Sequence, residues 1–367
     1  MTRLSKIKID GFRSIKHTEI EFAPLTVLIG ANGAGKSNLI DFFRMLNYMQ
    51  SRGFQDPYLP DRGPASHILH FGPKTTQVIQ GEVEFTADRG SNYYRFSLAH
   101  VRQDDAFIFT NEEVQFPPAR PIPLGAGGHR ESGLAELWSK DEPTVLFIKG
   151  LLARCRVFQF HDTSVTSHLR GRPFVEEARY LLADGGNLAA ILLRLQEEYP
   201  AIYKDIVQTL RLILPWFEDF ILEKEGPTAR QIVPLRWRMV QRGDYDFVAG
   251  QLSDGSLRTM ALVTLLHLPE RMQPSIMIID EPELGLHPSA EEIIAGLIRA
   301  AAREVQIILS TQSATFVDHF DANHIVVVEN ESGISTFSRQ SSEKLAAWLQ
   351  RYTLGQVWNK NLIGGRP

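Results

Sequence analysis

The chain has 367 residues, of which 43% are hydrophobic and 22% charged, a composition typical of a globular protein with one large or two ordinary domains. Its net charge of −4 argues against a protein that coats nucleic acid by bulk electrostatics. The single cysteine, Cys155, rules out an internal disulfide and is consistent with a reducing cytoplasm. No apolar run approaches the roughly 18 residues that a membrane helix needs, and no secretory signal pattern opens the chain. We therefore expect a cytoplasmic protein that has no membrane contact.

The first third of the chain is predicted to be rich in strands. Strands are indicated where apolar residues alternate with polar ones, or run together, between turn signals: 4–9, 17–22, 25–29, 77–85, 93–101 and 106–116. The last three are predicted to form an antiparallel meander. A helix is predicted from Ser37 to about Met49, and loops are predicted at 50–75 and 117–133, where glycine and proline are frequent.

The rest of the chain reads first as helical and then as alternating helix and strand. A helical period runs from about 134 to 222, and a strand-like pattern follows at 232–240. After residue 250 the predicted elements are helices at 256–268, 289–302 and 343–351, and strands at 275–279, 305–310 and 324–329. This alternation is typical of an α/β sheet.

A phosphate-binding loop is predicted at 30–37, where Gly-Ala-Asn-Gly-Ala-Gly-Lys-Ser matches the P-loop pattern. A buried strand precedes it and a helix follows, so that backbone N–H groups and the helix N-terminus point at phosphate. Lys36 is expected to reach the β- and γ-phosphates of ATP, and the Ser37 hydroxyl to bind Mg²⁺. The loop residues expected to contact the nucleotide are Asn32, Gly33, Ala34, Gly35, Lys36, Ser37 and Asn38.

Two carboxylates follow the apolar strand 276–279, and they supply the expected metal and water site. Acids at the tip of a buried parallel strand lie at the sheet edge where ligands bind. Asp280 is predicted to hold Mg²⁺, and Glu281 to orient and polarise the attacking water as a general base.

The motif Leu-Ser-Asp-Gly-Ser at 252–256 opens the next predicted helix. Alone it is an ordinary helix cap. Because it lies between a P-loop and an acid pair, however, the motif is similar to the signature of ABC-type ATPases. The resemblance implies that Ser253, Gly255 and the helix N-terminus bind the γ-phosphate of the nucleotide held by a second copy. The resemblance implies a homodimer with two shared ATP sites.

Within that superfamily the chain resembles the RecF/SMC-like branch. The residues that carry the resemblance are Gly11–Ser14, Ile29–Asn38, Leu252–Arg258, Asp280–Pro288, Phe158–Ser164 and Leu362–Pro367. The resemblance implies that Arg13 lies close to the nucleotide, although a plain surface role stays open, and that 283–288 form the loop crossing the dimer interface. Gln312 stands where such ATPases usually have a histidine; it can donate to the γ-phosphate but carries no charge. Gln159 and Gln80 are both candidates for the glutamine that couples the metal site to the second lobe.

The expected fold is therefore an α/β ABC ATPase head, with a P-loop core, an antiparallel β lobe and a helical insertion. The predicted domains are an N-terminal ATPase lobe, a mainly helical insertion, a C-terminal ATPase lobe and a C-terminal helix with tail: 1–133, 134–231, 232–340 and 341–367.

A dimer that closes on ATP and opens after hydrolysis is expected to act as a switch, and three biological functions are possible for it. The first is control of a separately encoded effector, such as a nuclease, in a bacterial defence system; only about 50 residues follow Gln312, which leaves little room for a fused nuclease. The second is a RecF-like repair ATPase that binds DNA directly, for which Arg236 and Arg238 supply a weak basic stripe. The third is a transporter subunit, which the long middle and Asp254 in the signature disfavour.

Overall fold

The computed structural model describes residues 2–135, 142–240, 242 and 245–366, and fifteen strands are assigned within these ranges. In chain order they are β1 (Arg3–Phe12), β2 (Ile15–Glu21), β3 (Leu25–Ile29), β4 (Val78–Ala87), β5 (Gly90–Val101), β6 (Ala106–Gln115), β7 (Ile122–Pro123), β8 (Cys155–Phe158), β9 (Phe217–Ile221), β10 (Arg236–Met239), β11 (Phe247–Val248), β12 (Ile276–Asp280), β13 (Gln306–Thr311), β14 (Ile325–Glu331) and β15 (Ile334–Arg339).

Eleven α-helices are assigned in the same part of the chain, together with short 3₁₀ and π-helical turns. They are α1 (Lys36–Met49), α2 (Leu59–Arg62), α3 (Ala65–Ile68), α4 (Pro143–Ala153), α5 (Leu188–Glu198), α6 (Pro200–Ile213), α7 (Asp254–Leu266), α8 (Pro288–Ala301), α9 (Ala314–Val317), α10 (Ser342–Leu349) and α11 (Leu354–Asn359). Over the described residues, none of these helices is both long and apolar enough to cross a bilayer.

The chain divides into two compact units, each assembled from separate stretches. Unit 1 comprises Met1–Val157, Pro274–Ile278 and Gln306–Pro367, and unit 2 comprises Phe158–Gln273 and Ile279–Val305. The linear domain boundaries drawn from the sequence stay a prediction.

Unit 1 is built on two sheets. The first has the strand order β2-β1-β4-β5-β6-β7, and its consecutive neighbours from β4 to β6 form the predicted meander. The second has the order β15-β14-β3-β13-β12-β8, in which β3 pairs in parallel with both β13 and β14. All five residues of β3 are buried, because a central parallel strand is covered on both faces.

Helix α1 carries an aromatic face into the core of unit 1. Phe42 meets Phe12 edge-on at 5.5 Å between ring centroids and stacks with Phe96 at 6.2 Å. Burying each of these rings contributes on the order of 2 kcal/mol. The packing fixes the helix that begins at the P-loop lysine against strands β1 and β5.

Unit 2 combines packed helices with a small sheet. Helices α5, α6, α7 and α8 pack against one another, and the sheet has the order β11-β10-β9. Trp237, on β10, is buried between Trp216 and Phe247, at 4.8 and 4.4 Å between ring centroids. Arg236 and Arg238 flank it on the opposite strand face, as predicted.

Two sequence predictions of secondary structure were wrong. Residues 50–75 are not all loop: a π-helical turn at Phe54–Tyr58 and helices α2 and α3 lie there, anchored by the fully buried Phe54 and Tyr58 rather than by a periodic pattern. The stretch 134–222 is not continuously helical, since it contains β8 and β9.

Between β8 and α5 the chain forms extended segments and 3₁₀ turns. These are held by side chains such as Asn187, whose Nδ2 donates to the carbonyls of Glu177 and Tyr180 at 2.6 Å each. A second C-terminal helix, α11, follows the predicted one.

Candidate functional site

The phosphate loop lies in unit 1 between β3 and α1, as predicted. Gly33 and Gly35 have φ values of 78° and 115°, which residues with a Cβ rarely adopt. Gly35 is the N-cap of α1, and no side chain of the described residues caps that helix. The first N–H groups of an α-helix have no partner within the helix, and with the helix dipole they favour an anion.

Lys36 is 6% exposed, and its ammonium group turns back into the loop. The Nζ donates to the carbonyls of Gly30 and Ala31 at 2.5 and 3.1 Å. The cation is thus held among the loop carbonyls, where phosphate oxygens can replace them as partners. Ser37, the next residue, is exposed.

Hydrogen bonds through two serine hydroxyls attach the phosphate loop to its neighbours in unit 1. The Ser335 hydroxyl, on β15, donates to the Ala34 carbonyl at 2.6 Å and contacts the Ser14 hydroxyl at 2.7 Å. Asn38, on α1, donates from Nδ2 to the same Ser14 hydroxyl at 2.5 Å. The N-terminal turn of α1 is therefore fixed by β1–β2 on one side and by β15 on the other.

Arg13 has a specific partner on the P-loop helix. Its Nε and Nη2 lie 2.9 and 2.8 Å from the Oδ2 of Asp41, which is buried. Asp41 also accepts from the Tyr58 hydroxyl at 3.0 Å and pairs with the Nε of Arg62 at 3.2 Å. Burial, and then the Asp41 carboxylate, raise the pKa of the Tyr58 phenol well above its ordinary value. Arg13 is thus anchored one turn into α1; a direct contact with nucleotide stays a prediction.

Strand register brings Gln312 to the start of the P-loop. In the parallel pair β3–β13, Thr311 is opposite Ile29, so that Gln312 and Gly30 both follow directly after paired residues. An amide at this place is a hydrogen-bond donor without charge.

The acid pair lies in unit 2, at the end of β12. Glu281 has a φ of 47°, a left-handed conformation that costs a non-glycine residue on the order of 1–2 kcal/mol. Strain of this kind is retained where the surrounding structure dictates the direction of a side chain. The left-handed conformation of Glu281 turns the chain sharply between Asp280 and the loop that follows.

The structure selects Gln159 over Gln80 as the glutamine beside the acid pair. Gln159 donates from Nε2 to the Oδ2 of Asp280 at 3.3 Å and contacts the Nδ1 of His161 at 3.0 Å. The Nε2 of His161 lies 3.1 Å from the Asp280 carbonyl. Gln80 lies on β4 opposite Asp10, in unit 1.

Ser253 is exposed and serves as the N-cap of α7. Its hydroxyl accepts from the Ser256 N–H at 3.2 Å and contacts the Ser256 hydroxyl at 2.8 Å. Gly255 lies against the loop after the acid pair, because a Cβ there would be 2.4 Å from the Gly285 carbonyl oxygen. The cap role of the serine is therefore observed, while its contact with nucleotide stays a prediction.

Cys155, on β8, is buried without a disulfide partner. Burial raises the pKa of its thiol to about 12, so that the reactive thiolate is scarce at neutral pH. It is a structural residue, as the sequence indicated.

The described residues fit a magnesium–nucleotide group chemically. In unit 1, the loop amides and a buried lysine suit phosphates, and the Ser37 hydroxyl is a hard oxygen donor of the kind that Mg²⁺ prefers. In unit 2, the Asp280 carboxylate is a donor of the same kind.

Two protein-family models match the chain over separate stretches. One described as "AAA domain, putative AbiEii toxin, Type IV TA system" matches residues 169–318, and one described as "AAA domain" matches residues 6–116. The first stretch contains Ser253, Asp280 and Gln312, and the second contains the P-loop. Every predicted motif of the ATPase site therefore falls in a stretch that is similar to an AAA domain.

Two curated relatives align along nearly the whole chain. The OLD nuclease of Thermus scotoductus is 25% identical over 394 residues, covering 99% of this chain and 68% of the relative. The Old nuclease of Escherichia phage P2 is 22% identical over 382 residues, covering 94% of this chain and 62% of the relative. The chain thus spans about two thirds of the length of these nucleases.

Among solved structures, heads of SMC proteins share the fold. The SMC head bound to the C-terminal winged-helix domain of ScpA matches with a TM-score of 0.63 at 17% identity, covering 93% of this chain and 99% of that one. The SMC head of Pyrococcus furiosus, bound to the C-terminal domain of ScpA, matches with a TM-score of 0.63 at 15% identity, covering 95% and 99%. The predicted fold is thereby confirmed.

Proposed function

We propose that this chain, an ATPase of the ABC/SMC-like type, works as a head-to-tail dimeric switch that controls a nuclease encoded as a separate protein in a bacterial defence system. Two findings support the proposal. The chain carries a P-loop, an acid pair and a signature motif, and the relatives that align along it are nucleases by name. In this proposal the nuclease chemistry belongs to the partner protein.

In the proposed reaction each side chain has a distinct task. Lys36 and the loop amides neutralise and orient the β- and γ-phosphates, and Gln312 donates to the γ-phosphate. Ser37 and Asp280 would hold Mg²⁺, which would offset the negative charge that develops on the phosphate. Glu281 orients the water that attacks the γ-phosphorus and accepts its proton.

The dimer is proposed from the position of Ser253. Its hydroxyl is exposed at the N-terminus of a 13-residue helix, where backbone N–H groups and the helix dipole favour an anion. In the proposed dimer this N-terminus meets the γ-phosphate bound to the second copy. Closing two copies on two nucleotides and opening them after hydrolysis would make the switch.

The alternative of direct DNA binding has weaker support. Arg236 pairs with Glu223 and Glu225, and Arg238 with Asp246, so that each guanidinium has an acidic neighbour on the small sheet of unit 2. A DNA backbone would have to replace these carboxylates. We therefore rank a RecF-like role second.

A trapped variant tests the proposal. Glu281→Gln removes the general base and keeps the shape, so that we expect it to hold Mg·ATP in a closed dimer. The variant is purified from its native cell with Mg·ATP, and what accompanies it is identified. Lys36→Ala, in which we expect nucleotide affinity to fall about 100-fold or more, is the matched control.

A nuclease recovered in stoichiometric amount with Glu281→Gln, and depleted with Lys36→Ala, would support the proposal. DNA without a second protein would favour the RecF-like role instead. An ATP-bound dimer with no companion would retain the switch and contradict the stable nuclease partner.

A further inference from the structure

Arg170 makes an unusual set of hydrogen bonds in unit 2. It ends the 3₁₀ turn His168–Arg170, and its side chain is 10% exposed. Its Nε donates to the Thr163 carbonyl at 2.9 Å, and its Nη1 donates to the Ala249 carbonyl. Its Nη2 donates to the Leu252 carbonyl at 3.2 Å and to the Asp254 carboxylate at 2.9 Å. One guanidinium therefore joins two segments that are far apart in the sequence.

The first segment is the signature loop. Arg170 binds the carbonyl of Leu252, directly before Ser253, and the side chain of Asp254, directly after it. The guanidinium thereby holds the backbone directly before the signature serine and the side chain directly after it. Only a planar fork of donors can satisfy these acceptors together, and a lysine ammonium cannot.

The second segment runs from Phe158 to Ser164 and contacts the acid pair. Within it Gln159 donates to the Asp280 carboxylate, and His161 contacts the Asp280 carbonyl, at 3.3 and 3.1 Å. Thr163, which Arg170 binds, is two residues beyond His161. The guanidinium thus acts on the same short stretch that touches Asp280.

A second arginine, on α7, also binds the Phe158–Ser164 stretch. Arg258, on α7, donates from Nε to the Phe160 carbonyl at 3.0 Å and from Nη2 to the His161 carbonyl at 2.8 Å. The same helix begins with Gly255 packed on the Gly285 carbonyl, in the loop after Glu281. The first turns of α7 therefore contact both the Phe158–Ser164 stretch and the loop that follows the acid pair.

We propose that Arg170 is a positioning residue that couples the signature serine to the acid pair, so that loading of the signature by a second copy's nucleotide sets the geometry of Asp280 and Glu281. Arg170 itself does not touch the nucleotide. It acts through Ser253 at one end and through the Gln159–His161 stretch at the other. This inference rests on the proposed shared site. It identifies a residue that makes ATP hydrolysis depend on the binding of the second copy's nucleotide.

The test compares Arg170→Lys, which keeps the charge and loses the fork, with Arg194→Lys. Arg194 bonds Glu198 and the Ala178 carbonyl in unit 2, away from the signature, and serves as the matched control. We expect Arg170→Lys to lower kcat on the order of 10- to 100-fold, as loss of supporting hydrogen bonds around an active group does. The KM for ATP, equilibrium ATP binding and the melting temperature should stay near those of the wild type and of Arg194→Lys.

A double-mutant cycle with Ser253→Ala separates coupling from simple support. If Arg170 acts through Ser253, the two changes together lower kcat little more than the stronger one alone. Asp254→Asn, which weakens one of the four contacts, should lower kcat less than Arg170→Lys and provides a second route if the lysine variant is unstable.

An unchanged kcat in Arg170→Lys, or effects that multiply independently with those of Ser253→Ala, would overturn the coupling. A fall in kcat that only follows a lower melting temperature would do the same. Wild-type hydrolysis by Ser253→Ala alone would instead reject the shared site, so the two failures are distinguishable.

Discussion

Lys36 is the residue on which nucleotide binding is predicted to depend. It is 6% exposed, and its ammonium group is held by the carbonyls of Gly30 and Ala31, at the place where phosphates are expected. Lys36→Ala removes a buried, charge-assisted donor, and we expect ATP affinity to fall about 100-fold or more. Titration calorimetry with Mg·ATP measures the change.

The control for that change is Lys8→Ala. Lys8 pairs with Glu82 at 2.9 Å on the partly exposed face of the first sheet, and its removal should leave affinity unaltered. ATP binding by Lys36→Ala at the wild-type level would reject the P-loop assignment.

The sequence predicts site residues only where the residues of a motif lie close together along the chain. Lys36, Asp280 and Glu281 stand in short motifs whose spacing carries their roles, so each could be named in advance. Asp41 and Arg170 were missed. Asp41 meets Arg13 across 28 residues, and Arg170 reaches Asp254 across 84 residues and otherwise binds backbone carbonyls, which look alike in every sequence.

Among the elements, the hairpin β14–β15 is the part that shapes the P-loop. A Cβ at Gly35 would lie 2.1 Å from the Ser335 hydroxyl oxygen, whereas a Cβ at Gly33 would meet nothing within 4 Å. Both residues have positive φ, so Gly33→Ala introduces backbone strain of about 1–2 kcal/mol without a clash.

The pair of substitutions separates strain from contact. We expect Gly35→Ala to displace the start of α1, lower the melting temperature and abolish measurable ATP binding. Gly33→Ala should show the strain with a much smaller loss of affinity. Calorimetric scanning and nucleotide titration of the two variants check this, and equal losses would show that the hairpin contact does not matter.

The elements that the sequence predicted well are those with a strong local pattern. The buried strands β3, β12, β13 and β14 and the helices α1, α7 and α8 lie within a few residues of their predicted bounds. Strand β8 was lost in a helical prediction, because four residues are too short to show a period and its pairing is with a distant part of the chain.

For the whole molecule, the head fold persists at low sequence identity. It matches SMC heads at 17% and 15% identity, because a fold requires apolar residues of suitable size at its buried positions and tolerates many different sequences there. These requirements restrict few positions and leave most of the surface free to change.

In the proposed dimer each ATP site is completed by the signature of a second copy. In a mixture of Lys36→Ala and Ser253→Arg, a mixed dimer pairs the intact P-loop of one chain with the intact signature of the other. Each variant alone should be inactive, and Ser253→Arg should still bind ATP.

The most direct measurement is therefore the steady-state ATPase rate of an equimolar mixture of the two variants. We expect recovery to roughly a quarter of the wild-type rate, since half of the dimers are mixed and one of two sites in each is intact. A mixture as inactive as its components, or a Ser253→Arg variant that hydrolyses ATP at the wild-type rate by itself, would contradict the shared site.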